Sequence, residues 1–140
     1  MTHRDQRGSR PEKQAAADTR FLIIDDDRKV GMSLSFMLET RGYPEVRAVR
    51  SPARAESVFG SFQPGVVFLD LDLPNSSSLQ LAEQMKRIAR LRKFRLIALT
   101  NDVEHAMREE ARVAGFERYL VKPVTQEAVD KLLSIPSDAS

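Results

Sequence analysis

A single α/β domain built on an open, doubly wound parallel sheet is the fold the sequence predicts, and three observations carry it. Apolar runs of four recur at Phe21-Leu22-Ile23-Ile24, Val66-Val67-Phe68-Leu69 and Leu96-Ile97-Ala98-Leu99. Runs of that length without polar alternation read as strands buried on both faces. Between them lie segments whose apolar residues recur at helical spacing, and such alternation argues for right-handed βαβ units with helices on both faces of the sheet. The third observation is what ends the runs: Asp25-Asp26-Asp27, Asp70 and Thr100. In open parallel sheets that carboxyl edge is where ligands bind.

The elements follow in order. Phe21–Asp25 is the first strand. Val30, Leu34, Met37 and Leu38 mark a helix over 28–41, with Gly42 as its stop. Val46–Val49 is a short strand. Ser51-Pro52 opens the second helix, Ser as N-cap and Pro at the first helical position, and Gly60 is expected to end it near Phe59. Val66–Leu69 runs into Asp70. Leu79, Leu81, Ala82, Met85, Ile88 and Ala89 predict a helix over 78–91. Leu96–Leu99 ends at Thr100. Asp102 caps a fourth helix that runs to Ala114, with Gly115 as its C-terminal signal. Tyr119–Val121 is the fifth strand and meets Lys122-Pro123. Thr125 caps a fifth helix through Leu133, with Glu127 in its first turn.

Residues 1–19 hold Gly, Ser, Pro, Gln and charges without apolar periodicity and read as a disordered basic extension. The domain spans 20–134, and 135–140 form a short polar tail. The chain has 140 residues, enough for one domain with a real core. It has no cysteine, which excludes disulfides and thiolate metal sites. No apolar stretch approaches the roughly 20 residues that span a bilayer, and the N-terminus lacks an apolar signal region. A cytoplasmic protein without membrane contact is expected. Residues 1–20 carry five basic groups against three acids, so of 22 and 20 in the whole chain the remainder holds 17 and 17. The basic pI is therefore partly a property of the tail, and direct nucleic-acid binding is not expected.

Adjacent carboxylates repel one another and resist burial, so the acidic triplet needs an offsetting charge or ready access to water. A solvated acidic turn meets that need, and so does a hard divalent cation such as Mg²⁺, which prefers carboxylate oxygens, water and phosphate. Other strand ends contribute Asp70, Thr100 and Lys122 to the same edge. Each alone is weak; together they are complementary. Leu22-Ile23-Ile24-Asp25-Asp26, Val67-Phe68-Leu69-Asp70-Leu71-Asp72-Leu73-Pro74, Ala98-Leu99-Thr100 and Tyr119-Leu120-Val121-Lys122-Pro123 resemble, in order and spacing, the receiver domain of two-component response regulators. The likeness covers about residues 20–134.

The resemblance implies a flavodoxin-like five-stranded sheet in the order 2-1-3-4-5 with five helices. It implies that Asp70 is the phosphoacceptor, taking a phosphoryl group from a histidine kinase, a phosphotransfer protein or a small donor. Asp26 becomes a direct Mg²⁺ ligand with Asp25 beside it, alongside Asp70 and the backbone carbonyl of Asp72. Lys122 supplies positive charge to phosphate oxygens, and the Thr100 hydroxyl donates to the phosphate once it is present. Pro123 is expected to follow a cis bond. Residues 102–133 become the surface read by a downstream protein, and a homodimer fits the same pattern. Tyr119 either turns inward on switching or simply packs on an edge strand. The implied role is a switch that gains and loses its own phosphoryl group, not a turnover enzyme.

Two departures stand out. Ser77-Ser78 replaces the family's Asp-Gly pair, leaving Asn75 to take any positive φ and a serine to cap the helix. Asn101 follows Thr100 where the family carries a smaller residue, and acids at Asp72 and Asp102 flank the phosphoryl position. Two other readings compete. Asp70-Leu71-Asp72 also matches the Asp-x-Asp of haloacid-dehalogenase-type phosphatases, although the metal-binding acids then come first in the chain instead of last. A receiver fold can also serve as an interaction module without phosphorylation. The basic run from Lys86 to Arg95 reads as a solvated helix end. His105 and His3 have no metal-ligand company and receive no role.

Overall fold

The computed structural model describes residues 15–136. Five parallel strands, β1 (Phe21–Ile24), β2 (Val46–Val49), β3 (Val66–Asp70), β4 (Arg95–Thr100) and β5 (Arg118–Val121), form one sheet in the order β2-β1-β3-β4-β5. The expected order 2-1-3-4-5 is thus observed. Six helices surround it: α1 (Arg28–Thr40), α2 (Pro52–Phe62), α3 (Ser78–Ala89), α4 (Val103–Met107), α5 (Glu109–Ala114) and α6 (Gln126–Leu133).

The apolar tetrads work as the sequence suggests, and alternation divides them between two cores. Leu22, Ile24, Val67, Leu69, Leu96 and Ala98 face α2, α3 and α5, meeting Phe59, Phe62, Leu81, Met85 and Ala111. Phe21, Ile23, Phe68, Ile97 and Leu99 face the other way, onto Leu34 and Leu38 of α1 and Val129 and Leu132 of α6. Phe68 is fully buried and stacks on Phe21 with ring centroids 6.2 Å apart. Phe68→Ala should lower the unfolding free energy by about 3–5 kcal/mol, read as a lowered urea midpoint.

Local signals placed most helix starts. Asp27, Ser51, Asp102 and Thr125 cap α1, α2, α4 and α6, each side chain accepting a backbone N–H of the first turn. Asn75 takes a positive φ of 55°, as the missing Gly required. Among the two serines, Ser77 is the cap of α3 and accepts from Gln80 N.

Two expectations are corrected. Gly60 does not end α2: the helix continues to Phe62 and stops at Gln63, which sits in the left-handed region before Pro64. A helical glycine costs about 1 kcal/mol, less than burying the Phe62 ring returns. The helix expected over 102–114 is two. Arg108 is extended (φ −67°, ψ 151°), ending α4 and starting α5, which is why six helices are found where five were expected. The break lets Ala111 and Ala114 of α5 settle into the core while Met107 stays exposed. Smaller shifts occur at element ends: α1 stops at Thr40 and α3 at Ala89, where Arg90 leaves the helix at φ 57°.

The expected extension over 1–19 and the tail over 135–140 lie largely outside the described residues. Of the former, Ala15 is placed: it packs against the second core, and its carbonyl accepts from the Tyr43 hydroxyl at 3.2 Å. Among the described residues no helix is long and apolar enough to cross a membrane.

Candidate functional site

Parallel pairing brings the strand ends together. Ile24 is level with Leu69, Asp70 with Leu99, and Thr100 with Val121. The residues that follow or end β1, β3, β4 and β5 therefore surround one point on the carboxyl edge. There Asp25, Asp26 and Asp70 each offer a carboxylate oxygen within 4.8 Å of the others. Asp25 and Asp70 are buried at 1% and 2% exposure, whereas Asp26 is open to solvent.

Lys122 joins the two buried acids. Its Nζ lies 2.7 Å from Asp25 Oδ2 and 3.4 Å from Asp70 Oδ1. The Lys122-Pro123 bond is cis, as expected. Backbone donors hold each carboxylate from the other side: Asp27 N donates to Asp25 Oδ1 and Asp72 N to Asp70 Oδ1, both at 2.9 Å. Burial raises the Asp70 pKa above the ordinary carboxylate value; the Asp72 N–H opposes the rise, Asp25 adds to it, and Lys122 opposes it. For Lys122, burial works to lower the pKa, but the close carboxylate of Asp25, with the charge of Asp70, outweighs it and holds the ammonium above its usual value.

Three carboxylates against one ammonium leave an excess of two negative charges around the cluster if all are ionised. Asp25 Oδ2 is buried, and although Lys122 is close, no hydrogen bond of good angle reaches it. A small, hard, oxygen-seeking dication suits such a donor set, and Mg²⁺ fits it.

Thr100 and Asp72 stand at the site with their side chains turned elsewhere. The Thr100 hydroxyl donates to Asp102 O at 3.0 Å and accepts from Asp102 N at 2.9 Å. Asp72 sends its Oδ1 to His105 Nδ1, 3.2 Å away on α4. His105 had no assigned role, because its partner lies across two loops and no spacing rule links them. Tyr119 is 39% exposed on β5 and faces outward.

Ser78 is a second residue the sequence left unassigned. Buried at the start of α3, its hydroxyl donates to the Asp70 carbonyl at 2.5 Å and ties the helix to the end of β3. Ser78→Ala should cost about 1–2 kcal/mol in urea unfolding. A serine following the capping Ser77 was the only available signal.

The response regulator receiver domain family matches residues 21–134. The chain belongs to that family, and it is a receiver domain of two-component signalling. The polar-differentiation response regulator DivK of Brucella ovis is 29% identical over 108 residues, covering 76% of this chain and 87% of that protein. Among solved structures, a response regulator from Burkholderia pseudomallei, with a phosphorylated aspartic acid, a calcium ion and citrate, is 30% identical. It has a TM-score of 0.71, and the match covers 83% of this chain and 66% of that one. The receiver domain of Saccharomyces cerevisiae Ssk1, in complex with the histidine phosphotransfer protein Ypd1, is 20% identical at a TM-score of 0.73. That match covers 84% of this chain and 87% of the other, and it speaks for the fold.

Proposed function

We propose that the chain is a phosphoacceptor switch in which Asp70 carries the phosphoryl group, with Mg²⁺ bound by the neighbouring acids. The single observation behind this is the buried Asp70 carboxylate, flanked by Asp25 and Asp26 and bridged to Asp25 by Lys122. Asp70 Oδ1 is held by the Asp72 N–H, while Oδ2 takes no hydrogen bond from the described residues. Oδ2 is then the oxygen that attacks phosphorus. The new O–P bond forms as the donor's bond to phosphorus breaks, and the donor keeps that electron pair and takes up a proton.

Asp25, Asp26 and Asp70, with the Asp72 carbonyl, would hold the ion; when bound, it neutralises phosphoryl oxygens during in-line transfer. Lys122 sits within reach of the same oxygens. Thr100 must leave Asp102 to donate to the phosphate, and that exchange would displace the loop between β4 and α4. The face from Asp102 to Leu133 carries exposed Met107, Val113, Tyr119 and Val121, an apolar surface suited to a downstream protein or a second copy. A histidine kinase or phosphotransfer protein is the natural donor, in the cytoplasm. The role is that of a switch loaded once per cycle, not of an enzyme with turnover.

Exposure to acetyl phosphate tests this reading. With Mg²⁺ the intact mass should rise by one phosphoryl group, and with excess EDTA it should not. Sustained release of phosphate from a phosphomonoester would point to a phosphatase instead. Asp26→Asn, at the exposed ligand, should weaken Mg²⁺ binding by about tenfold or more in isothermal titration while leaving the fold intact.

A further inference from the structure

At the opposite edge of the sheet lies a second concavity that the phosphoacceptor chemistry does not use. It has a volume of about 440 Å³, within the range of roughly 300–1,000 Å³ typical of small-molecule sites. Its lining combines apolar Ala89, Phe94 and Leu96 with four cations, Lys86, Arg90, Arg92 and Lys93, and no acid. This concentration is unexpected in a stretch, residues 21–140, with 17 basic and 17 acidic groups.

The plain explanation is that cations at the C-terminus of α3 answer its dipole and its free carbonyls. It accounts for part of the cluster only. Two of the last four carbonyls already have partners, Lys86 O accepting from Arg90 N and Ala89 O from Arg92 N. Arg90 and Lys93 lie beyond the helix. Lys86, Arg90 and Lys93 make no ion pair or side-chain hydrogen bond among the described residues. Arg92, by contrast, is fixed: Nη1 donates to Pro64 O at 2.7 Å, and its guanidinium lies 5.2 Å from the centre of the Phe59 ring.

Two backbone features shape the cavity. Arg90 adopts φ 57° and ψ −113°, which turns the chain out of α3 beside the cavity. Gly115, at φ 107°, leaves the space that the end of Lys86 occupies, because a Cβ there would overlap the Lys86 Cε and Nζ. The end of this exposed lysine therefore lies along the Gly115 backbone, at the rim of the cavity.

We infer that this cavity binds a nucleoside phosphate, its base against Phe94 and Ala89 and its phosphates among Lys86, Arg90 and Lys93. A concave site with an apolar floor and a cationic rim suits a compact anion with an aromatic body better than it suits an extended polyanion. The site is separate from the acid cluster, and Mg²⁺ has no part in it.

The test is fluorescence titration of the full chain with a fluorescent ATP derivative in EDTA. Saturable binding is expected, weakening with salt and falling by about tenfold or more in Lys86→Ser/Lys93→Ser, which removes two charge-assisted contacts. Unlabelled ATP should displace the probe, whereas adenosine and inorganic phosphate should do so only weakly. Asp70→Asn should bind as well as the parent chain. Equal binding by the double variant would overturn the assignment, as would inorganic phosphate competing as well as ATP, or single-stranded DNA or an acidic peptide displacing the probe where ATP does not. Loss of binding in Asp70→Asn would move the nucleotide to the acid cluster and overturn it too. None of these results bears on whether Asp70 accepts a phosphoryl group.

Discussion

Lys122→Met is expected to destabilise the protein by about 3–5 kcal/mol near neutral pH, although Met fills much of the same volume. The ammonium is the cation that lies between Asp25 and Asp70, two carboxylates almost wholly removed from water. Without it, both acids remain buried beside each other. The sign of the pH dependence follows from Asp70, whose folded pKa stands above its ordinary value through burial, with Asp25 adding and Lys122 opposing. A carboxyl with a raised folded pKa costs stability when ionised, and that cost disappears as pH falls through the raised value. Losing Lys122 removes one of the influences that lower this pKa, so the variant should regain more stability than the parent chain as pH falls from neutral toward the ordinary carboxylate range. Mg²⁺ should also stabilise the variant more than the parent, since ligand binding to the folded state adds to stability by mass action. Urea unfolding across that pH range, with and without Mg²⁺, measures all three effects.

The second large effect concerns chemistry. Asp70→Asn should abolish phosphoryl uptake from acetyl phosphate, because the amide lacks a nucleophilic carboxylate oxygen while keeping the shape of the side chain. The Asp72 N–H can still donate to the amide oxygen, so stability should change little or rise as a buried charge is removed. Asp72→Asn should keep phosphoryl uptake, since the role proposed for that residue belongs to its backbone carbonyl and its carboxylate faces His105. A variant pair that differs in this way separates loss of the nucleophile from loss of a nearby negative charge.

Much of the fold was legible because burial on both sheet faces leaves few alternatives to an apolar tetrad. Phe21–Ile24 and Val66–Leu69 had to be central strands, and the acids behind them had to fall on one edge. Capping residues were equally readable, since Ser51, Asp102 and Thr125 act on N–H groups two or three residues away. What escaped was decided at longer range. Gly60 lies inside α2 because Phe62 buries beyond it, a gain that local propensity does not register. The break at Arg108 has no Gly or Pro to announce it. The site's residue types were visible at the strand ends, but their orientations were not: Thr100 engages Asp102 and Asp72 engages His105. Ser78 meets the Asp70 carbonyl across eight residues, a contact that exists only once α3 docks on β3.

The central claim is that one carboxylate in a crowded acidic site is the acceptor. Borohydride reduces an aspartyl phosphate to homoserine, so reduction after acetyl phosphate and Mg²⁺ treatment, followed by peptide mass mapping, reads the position directly. The mechanism predicts homoserine at position 70 alone, absent when EDTA is present. Homoserine at position 25, 26 or 72 would contradict it.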